Sequence, residues 1–497
     1  MKKEAVRRAA EAIHRQKREP EWVLEKRLLG VQAWQKQNLG KMLPGVEELI
    51  SQIDAGGIRF YKEVDDVEVK TSWDEVPKEI RETFEALGIP EAEKEGLAGV
   101  GAQFDSEVVY HRMREKLAQS GVVFLPLEEA ILATEKSSEE NLTKYGAPVG
   151  EIFLAHFMKL VPEDDHKFAG LHAAMFSGGS FIYVPKGVAA ELPIQSYYRM
   201  NEPGIGQFEH TLIVVDEGSE LHFIEGCSAP KYEKNNLHVG SVEIFVKKGA
   251  KMRFSTVESW SKNVFNLNTK RALVETGGEM EWVSGTFGSK VTMLYPTTIL
   301  KGEGAKMEYL GMSLASGEQI LDSGAKAISL ADNTSAIIRS KSVSKNGGVS
   351  MTKTLAKVGK EVRGVKAYID CKSLILDNES RAHAEPMVDV NSGEAEVTHE
   401  ASVGKLSEEI LYYLATRGIG EEKAKEIVQK DIDKDERKEN LAIKNSKITI
   451  EYANSSNGKN ARKSYKIEVI NISDKTLARD YYIDVNNGNI VDIGYYK

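Results

Sequence analysis

The chain has little cysteine and no long apolar run, and each shortage excludes a class of protein. Its 497 residues include only two cysteines, Cys227 and Cys371, too few for the disulfide framework of a stapled secreted domain. Neither belongs to a Cys-x-x-Cys pair, so a self-sufficient zinc or iron–sulfur site of that spacing is excluded. No apolar run reaches the roughly 20 residues that cross a bilayer, and the charged start lacks the apolar core of a signal peptide. We therefore expect a cytoplasmic protein without membrane contact.

An excess of positive charge is lacking as well. The formal net charge is −9 at pH 7 and the isoelectric point is about 5.8. These totals do not suggest the broad basic surface that binds a phosphate backbone, so nucleic acid is not an expected partner. Hydrophobic residues make up 41% of the chain, and a chain of this length can form about two to four domains with real cores.

Three common enzyme motifs are absent. The segment GGVSMTKT at residues 347–354 is nearest to a phosphate-binding P-loop. Thr352 stands where a glycine must precede the lysine for the backbone amides to wrap a phosphate, so we predict an ordinary turn. A serine-nucleophile elbow and a His-Glu-x-x-His zinc motif are missing too. We therefore expect neither an ATPase nor an enzyme in the usual sense.

A repeat runs through the middle of the chain, where short β-type runs are separated by Gly or Asn. Six segments open with such a turn residue and carry an apolar residue at the fourth position; five of the six have a large or aromatic residue at the sixth. They begin at Gly218, Gly249, Gly277, Gly304, Asn333 and Gly359, with Leu221, Met252, Met280, Met307, Ala336 and Val362 fourth and Phe223, Phe254, Trp282, Tyr309, Ile338 and Gly364 sixth.

The spacing of these segments is typical of a solenoid. The intervals are 31, 28, 27, 29 and 26 residues, without a helical pattern between turns. One coil cannot bury its apolar face alone, so such a period predicts stacked β coils that share a continuous core. An antiparallel sandwich also has frequent turns and remains the alternative from this pattern.

The regions that flank the repeat have other textures. Residues 1–165 read as a mostly helical or mixed domain, residues 166–404 as the β-helix core, and residues 405–431 as a C-terminal helical hairpin. Residues 432–497 read as a Lys/Asn-rich linker with a small β module, because NNGN lies between two alternating runs. Helical spacing in the first region is clearest at Trp22, Leu24, Leu28, Leu29 and Trp34. The predicted fold class is mainly β.

A thiol, two imidazoles and two carboxylates fall within 30 residues of one another: Cys371, His383, Glu385, His399 and Glu400. Cys371 and His399 are 28 residues apart, one repeat interval, which would stack them in adjacent coils about 4.8 Å apart. A thiolate, an imidazole and a carboxylate together suit iron or zinc. Alternatively, His399 and Glu400 point to opposite faces of a strand and only solvate the end of a sheet. The spacing leaves both interpretations open.

The other cysteine lies in the segment EGCSAPKYEKNNLH. The pattern places Cys227 directly after a strand and before a proline-containing loop, where a thiol is partly exposed. Lys231 and Lys234 nearby would favour its thiolate. A packing role is the alternative, because free cysteines are among the most buried residues.

Several long segments resemble one known family. They include REPEWVLEKRL, SYYRMNEPGIGQFEHTLIVVDEGSELHFIEGCSAPKYEKNNLHVGSVEI, NTKRAL and VTHEASVGKLSEEILYYLATRGI. Over residues 18–430 the chain is similar to the SufB/SufD family of iron–sulfur cluster assembly scaffolds, and GCSAPKY points to the SufB branch. The resemblance implies a right-handed parallel β-helix between helical terminal domains.

The resemblance also implies a function. Members accept sulfur from a cysteine desulfurase system and assemble a transient iron–sulfur cluster, 4Fe–4S by our expectation, before transfer to apo-proteins. They work with a SufC-type ATPase and with a SufD-type partner or a second copy of the chain, and reduced flavin is a candidate cofactor of the complex. The alternatives are a SufD-like structural partner without its own cluster and a β-helix carbohydrate-active protein, which would need paired carboxylates and exposed aromatic platforms.

Eight positions match functional residues of that family. By resemblance, Cys227 is the sulfur acceptor, Trp260 and Lys270 lie along an internal route through the β-helix, Arg199 and Asn201 are functional polar positions, and Cys371, His399 and Glu400 form the assembly site at the interface with the partner scaffold. The chain departs from the family pattern at Glu258, where glutamine is usual, and at Thr398, where an acidic residue is frequent. After about residue 430 the helical tail that is usual in the family is replaced by the Lys/Asn-rich segment and its small β module.

Overall fold

The computed structural model describes residues 3–36, 57–61, 69–85, 96–405, 441–443, 449–453, 462–471, 477–484 and 490–495. The chain separates into two compact units, Met1–Gly404 and Lys405–Lys497. The helical hairpin predicted for residues 405–431 lies outside the described residues, apart from Lys405 at its start. Within the described ranges, no helix is both long enough and apolar enough to cross a membrane.

Among the described residues, the helices all lie before residue 176. They are α1 (Lys3–Lys17), α2 (Glu21–Gln35), α3 (Lys78–Glu85), α4 (Glu115–Gln119), α5 (Leu127–Leu132), α6 (Ser138–Tyr145), α7 (Val149–His156) and α8 (Lys167–Met175), with short 3₁₀ turns at Trp73–Glu75 and Ala133–Glu135.

Strands make up most of the rest of the first unit. They are β1 (Gly99–Phe104), β2 (Glu107–Met113), β3 (Val123–Pro126), β4 (Gly179–Val184), β5 (Ile194–Arg199), β6 (Gly206–Gln207), β7 (His210–Val215), β8 (Glu220–Ser228), β9 (Asn236–His238), β10 (Ser241–Val246), β11 (Lys251–Ser259), β12 (Val264–Val274), β13 (Glu279–Thr286), β14 (Val291–Leu294), β15 (Thr297–Leu300), β16 (Lys306–Ser316), β17 (Ile320–Ser329), β18 (Ser335–Lys345), β19 (Val349–Val358), β20 (Val365–Ile375), β21 (Arg381–Val390) and β22 (Ala395–Lys405).

Helix α2 forms where the sequence predicts a helix, but it buries a different face. Its buried residues are Val23, Arg27, Gly30 and Val31, whereas Leu29 is 44% exposed. Gly30 has room for no side chain, because a Cβ there would lie 2.7 Å from the backbone of α8. The apolar spacing therefore located the helix, and the close approach of two helix backbones selected the face that packs.

The region before residue 165 also contains β structure that its pattern did not show. β1 and β2 form an antiparallel hairpin, and β1 then pairs in parallel with β5 of the solenoid. β3 similarly pairs antiparallel with β4. The first coils are thus covered at both sheets by strands from the N-terminal region, which shields edges that would otherwise be open.

The core is a parallel β-helix, as predicted. One sheet has the order β2-β1-β5-β8-β11-β13-β16-β18-β20-β22, and the other follows β21-β19-β17-β14-β12-β10-β7-β4-β3. From β5 to β20 the first sheet is parallel with in-register pairing across successive coils. Side chains of equivalent position therefore stack in rows along the solenoid axis, about 4.8 Å apart.

The turn that opens each coil has a left-handed residue, and this corrects the last predicted repeat. Gly218, Gly249, Gly277, Gly304 and Asn333 have φ of +57° to +68°, as expected for residues without a large Cβ penalty. In the sixth coil the left-handed residue is Gly364, with φ of +65°, and not the predicted Gly359. Its fourth and sixth positions are therefore Ala367 and Ile369, which pair with Ala336 and Ile338 of β18.

The interior is apolar toward the start of each strand in the first sheet. The fourth and sixth positions are buried in every coil, and Phe223, Phe254 and Trp282 stack with ring centroids 5.4 Å apart at each step. The aromatic residues of the repeat are thus inside the solenoid. They offer no exposed platform for a sugar, which removes the feature that a carbohydrate-active β-helix would need.

The second unit contains a five-stranded antiparallel sheet. Its strands are β23 (Leu441–Ile443), β24 (Thr449–Ala453), β25 (Arg462–Asn471), β26 (Leu477–Asp484) and β27 (Ile490–Tyr495). β26 and β27 pair antiparallel on either side of the NNGN segment, so the predicted hairpin is confirmed.

Candidate functional site

Cys227 points into the solenoid. It lies within β8, is 2% exposed, and has Tyr198 of β5 and Glu258 of β11 as its register partners. The expectation of a partly exposed thiol at the end of a strand is therefore wrong. The pattern failed because β8 continues through Cys227 to Ser228, so strand alternation places the thiol on the inner face.

A buried ion pair lies next to this thiol. Lys270 of β12 donates to Glu225 of β8, two residues before Cys227, and both side chains are at most 2% exposed. Thr256 donates to the same carboxylate at 2.8 Å. The Lys270 ammonium also lies 4.9 Å from the ring centroid of Phe254. Two strands of one sheet and one strand of the other thus place a charge pair in the interior.

A second buried carboxylate faces Cys227 from the next coil. Glu258 accepts hydrogen bonds from Asn266 Nδ2 at 2.8 Å and from Asn268 Nδ2 at 2.9 Å. Burial raises the pKa of Glu258, and the negative charge of Glu225 raises it further, whereas Lys270 lowers it. The residue that departs from the family pattern is therefore fully inside the site, held by two amide donors.

Trp260 borders this region and packs against His238. Its ring lies 4.5 Å from that of His238, centroid to centroid. His238 contacts Glu209 at 2.6 Å and Asn266 at 2.7 Å. Burial lowers the pKa of His238, but the Glu209 carboxylate outweighs burial and the net pKa is raised. Trp260 and Cys227 belong to one buried apolar cluster.

Arg199 ends β5, and Asn201 follows it two residues later. Arg199 Nη1 donates to Ser228 Oγ at 2.7 Å, so its guanidinium is one residue from Cys227. Asn201 is held through its backbone: its N–H donates to Asp105 Oδ1 at 2.6 Å, and its carbonyl accepts from the Tyr232 hydroxyl. Arg199 can act on a group bound near Cys227, whereas Asn201 shapes the loop that follows.

Two rows of interior residues connect the coil of Cys227 with that of Cys371. Counting the left-handed turn residue as the first position, one row runs along the eighth position and the other along the tenth, with one residue from each coil in the register of the first sheet. The first interior row is Glu225, Thr256, Ser284, Gly311, Ser340 and Cys371. The second interior row is Cys227, Glu258, Thr286, Ser313, Ser342 and Ser373.

These rows are polar over their whole length. Apart from the two cysteines and Gly311, every member is a carboxylate or a hydroxyl residue, and all of these are buried. Five steps separate Glu225 from Cys371, which corresponds to about 24 Å along the axis. Within the part of the chain that the structure describes, a continuous hydrophilic lining thus runs between the two thiols, beside the apolar fourth and sixth positions.

The aligned repeat contained the signal for these rows. Residues at the eighth and tenth positions are polar in most coils. The repeat predicted Gly359 as the turn residue of the sixth coil, whereas the structure has Gly364 there. This error removed Cys371 from the row that begins at Glu225. Glu225 was not predicted as a site residue, and Glu258 was predicted only as a departure from the family pattern, although both lie beside the predicted sulfur acceptor.

Cys371 is buried and its two predicted co-ligands are not. Cys371 is 0% exposed, with Ser340 as register partner and Thr354 beside its thiol. His399 and Glu400 are exposed on β22, the strand next to β20. The two strands are neighbours, but among the described residues no three His, Cys, Asp or Glu side chains form a group that could hold a metal ion. His383 and Glu385 are likewise exposed.

Both thiols are electrostatically protected from ionisation. Burial raises the pKa of Cys227 well above its usual range, and Glu225, Glu258 and Glu209 raise it further, while Lys270 lowers it. Burial raises the pKa of Cys371 to about 11. The expectation that Lys231 and Lys234 favour the Cys227 thiolate is therefore wrong, because both lysines are exposed and the interior carboxylates dominate.

This protection predicts slow alkylation that accelerates with pH. With a pKa of about 11 instead of 9.0, Cys371 should have about a hundredfold less thiolate at pH 8 than an exposed cysteine. We expect its iodoacetamide rate, measured by mass spectrometry of the Cys371 peptide, to rise about tenfold per pH unit from pH 8 to 10. A cysteine placed at exposed Lys341 in β18 should instead level off near pH 9. A flat Cys371 profile would contradict the buried, protonated thiol.

Comparison with known proteins agrees with this geometry. Residues 198–431 match the family model described as SUF system FeS cluster assembly, SufBD core domain. The chain is 44% identical to the iron–sulfur cluster assembly protein SufB of Bacillus subtilis over 418 residues, which cover 84% of this chain and 86% of the relative. It is also 44% identical over 416 residues to SufBD family proteins of Staphylococcus aureus and Staphylococcus epidermidis, covering 84% of this chain and 85% of each relative.

The matched residues span the β-helix with both interior rows, and the identity extends well beyond the core domain. The chain therefore belongs to the SufB/SufD family of iron–sulfur cluster assembly proteins of the SUF system.

Proposed function

We propose that the chain is the cluster-assembling scaffold of a SUF system, which accepts sulfur at Cys227 and builds a transient cluster at Cys371 for transfer to apo-proteins. The observation that carries this proposal is the pair of polar interior rows between the two cysteines. A protein that only supports a partner has no need of a hydrophilic lining through its core, where polar groups cost free energy unless they are used or paired.

The chemistry at Cys227 is sulfane sulfur transfer. The Cys227 sulfur attacks the outer sulfur of a persulfide on the desulfurase system, a new S–S bond forms, and the donor cysteine leaves with its thiol restored. The proton of Cys227 goes to the leaving thiolate, so no oxidant or reductant is consumed. Lys270 supports this step because its charge stabilises the developing Cys227 thiolate against Glu225 and Glu258.

The chemistry at Cys371 is incomplete ligation of the cluster, which is the product and cargo of the scaffold. One thiolate from this chain, with His399 or Glu400 from the neighbouring strand, leaves positions for exchange. β21 and β22 each end their sheet among the described strands, and Val388, Val390 and Val403 on them are 39–46% exposed. A SufD-type partner or a second copy completes the site there, in a cytoplasmic complex whose ATPase is of the SufC type.

The scaffold is not itself an enzyme of ATP hydrolysis. The segment nearest to a P-loop opens with Gly347 at φ of +85° and continues as β19, the geometry of a solenoid turn. In this proposal, ATP hydrolysis belongs to the SufC-type subunit. A 4Fe–4S product and reduced flavin as electron source are part of the proposal, since assembling sulfide from sulfane sulfur requires electrons.

The test is anaerobic reconstitution of the full chain with iron and inorganic sulfide, followed by visible absorption. We expect a brown chromophore in the wild type and its loss, at least fivefold, in Cys371→Ala. Cys227→Ala is the matched control, because free sulfide bypasses the acceptor and should leave the chromophore intact.

Supplying sulfur by a cysteine desulfurase and cysteine should reverse that control. Under these conditions Cys227→Ala is expected to lose the chromophore too. An uncoloured wild type under both conditions would instead indicate a SufD-like partner without its own cluster, and a coloured Cys371→Ala would refute the assembly site.

A further inference from the structure

The interior aromatic stack ends in a tyrosine whose hydroxyl enters the first interior row. Tyr309 follows Trp282 in the same column. Trp282 directs its Nε1 across the coil to Thr298 Oγ1 at 2.9 Å. The Tyr309 ring instead runs along its own strand and lies over Gly311. This places the phenol oxygen between the rungs of Ser284 and Ser340, which are the register partners of Gly311.

Gly311 leaves the space that this phenol fills. Gly311 does not have a left-handed φ, so backbone conformation does not require a glycine there. A Cβ at that position would lie 2.6 Å from both Cε1 and Cζ of Tyr309, nearer than packed carbons approach. The hydroxyl of Tyr309 therefore replaces the side chain that Gly311 lacks, and the row of polar groups continues without a break.

The phenol of Tyr309 stays protonated and interacts electrostatically with groups at both ends of the interior rows. Burial raises the pKa of Tyr309, and the charges of Glu258 and of ionised Cys371 raise it further, while Ser284 beside it lowers it. Glu258 is the register partner of Cys227. The hydroxyl is thus a hydrogen-bond donor within electrostatic reach of the Cys227 end and of Cys371.

We infer that Tyr309 is a positioning residue for sulfur inside the solenoid: its hydroxyl donates a hydrogen bond to a small neutral carrier of sulfane sulfur, a short hydropolysulfide, midway between Cys227 and Cys371. The species is neutral because Glu225 and Glu258 disfavour another negative charge in the interior. Gly311 provides the room that the phenol occupies, which brings its hydroxyl into the first interior row. This inference rests on the proposed function of the two thiols.

The test follows sulfane sulfur to each thiol in the full chain. Anaerobic incubation with inorganic polysulfide converts a thiol to a persulfide and shortens the donor by one sulfur, RSH + H₂Sₙ → RSSH + H₂Sₙ₋₁. Alkylation, digestion and mass spectrometry then give the loading rates of the Cys227 and Cys371 peptides separately. The variants are Tyr309→Phe, which removes one oxygen, and Gly311→Ala, which displaces the phenol. Tyr295→Phe is the matched control, since Tyr295 lies in the buried cluster on the other sheet.

We expect Tyr309→Phe and Gly311→Ala to load Cys227 at the wild-type rate and Cys371 about tenfold more slowly, the effect of losing one net hydrogen bond. The double variant should be no slower than either single one, because both remove the same contact. Tyr295→Phe should load both thiols normally. A merely structural role would slow both thiols together and would lower the thermal midpoint.

The possible outcomes distinguish the role of Tyr309 from the acceptor function of Cys227. Loading of Cys371 at the wild-type rate in Tyr309→Phe, with Cys227 loaded normally, overturns the role of Tyr309 and leaves the scaffold function standing. A slowdown equal to that in Tyr295→Phe overturns it as well. A wild type in which Cys227 gains no sulfane sulfur overturns the acceptor function and, with it, this inference.

Discussion

Replacing Lys270 with methionine should lower the free energy of unfolding by about 3–5 kcal/mol, because it leaves the Glu225 carboxylate buried without its counter-charge. The two side chains are 1% and 2% exposed, so water cannot take over the role of the ammonium. Thr256 continues to donate to the carboxylate, but a hydroxyl neutralises no charge. The midpoint and slope of urea unfolding measure the change.

The same replacement should also slow the alkylation of Cys227. Lys270 is the cation that lowers the pKa of this thiol against three carboxylates, so its removal raises the pKa further and reduces the thiolate fraction at a given pH. Mass spectrometry of the Cys227 peptide after timed exposure to iodoacetamide measures this effect. We expect the rate at pH 9 to fall at least fivefold.

Two further variants control for both effects. Lys306→Met breaks an exposed ion pair with Glu279, at 3.0 Å and 60% and 39% exposed, and should cost less than about 1 kcal/mol. Combining Lys270→Met with Glu225→Gln removes both charges and should recover about half of the lost stability. A loss below 1 kcal/mol in Lys270→Met would mean that the interior around Glu225 is hydrated and the ion pair is not structural.

Replacing Glu243 with alanine is expected to have a comparable effect on stability for a different reason. Glu243 on β10 is 0% exposed, and its carboxylate accepts the backbone N–H groups of Met158, Leu160 and Val161 at 2.6 to 2.8 Å. It thereby ties the segment after α7 to the outer face of the second sheet. Losing the carboxylate leaves three buried donors unsatisfied, at about 1–3 kcal/mol each.

Glu243 also contacts a buried hydrogen-bonded pair of histidines, His210 and His172. His172 Nδ1 faces the Val239 carbonyl at 2.8 Å, so it carries the proton, and burial with the neighbouring charge of His210 holds the pKa of His172 well below its usual range. His172 Nε2 therefore accepts from His210 Nδ1 at 3.0 Å. His210 Nε2 in turn lies 3.0 Å from Glu243 Oε2, so the carboxylate and the two imidazoles form one buried chain of hydrogen bonds.

We expect Glu243→Ala to lower the free energy of unfolding by about 3–6 kcal/mol in urea titration and to expose residues 157–165 to limited proteolysis. Glu275→Ala is the matched control, since Glu275 is 37% exposed and pairs with Lys247 at 3.2 Å. Its loss should stay within about 1 kcal/mol. Equal stability of the two variants would show that the three amide hydrogen bonds are replaced by water at little cost.

The architecture was accessible from the chain because its signals are local. A left-handed glycine or asparagine in every coil, an apolar fourth position and a large sixth position recur along the sequence, and each such residue acts on its own turn or strand. The last turn is longer than the others, so the repeat predicts Gly359 as the turn residue where Gly364 has the left-handed φ. The register of five coils was correct, and one misplaced turn was enough to separate Cys371 from its row.

The site was only partly accessible. The two cysteines and the interior positions of Trp260 and Lys270 could be named from motifs and resemblance. Their environment could not, because burial and pKa depend on groups that meet only after the coils stack. Glu225 and Lys270 are 45 residues apart, and Glu258 and Cys227 meet through strand register alone.

What the amino-acid order settles here is the coil: where it turns, which side chains face inward, and to which family the chain belongs. What folding adds is the contact between coils. Stacking places Glu225 and Glu258 beside Cys227, buries both thiols and so raises the pKa of each, and puts the phenol of Tyr309 into the gap at Gly311. It also leaves Cys371 buried while His399 and Glu400 are exposed on the neighbouring strand β22. Two strands can be neighbours in a sheet and still present their side chains to different environments.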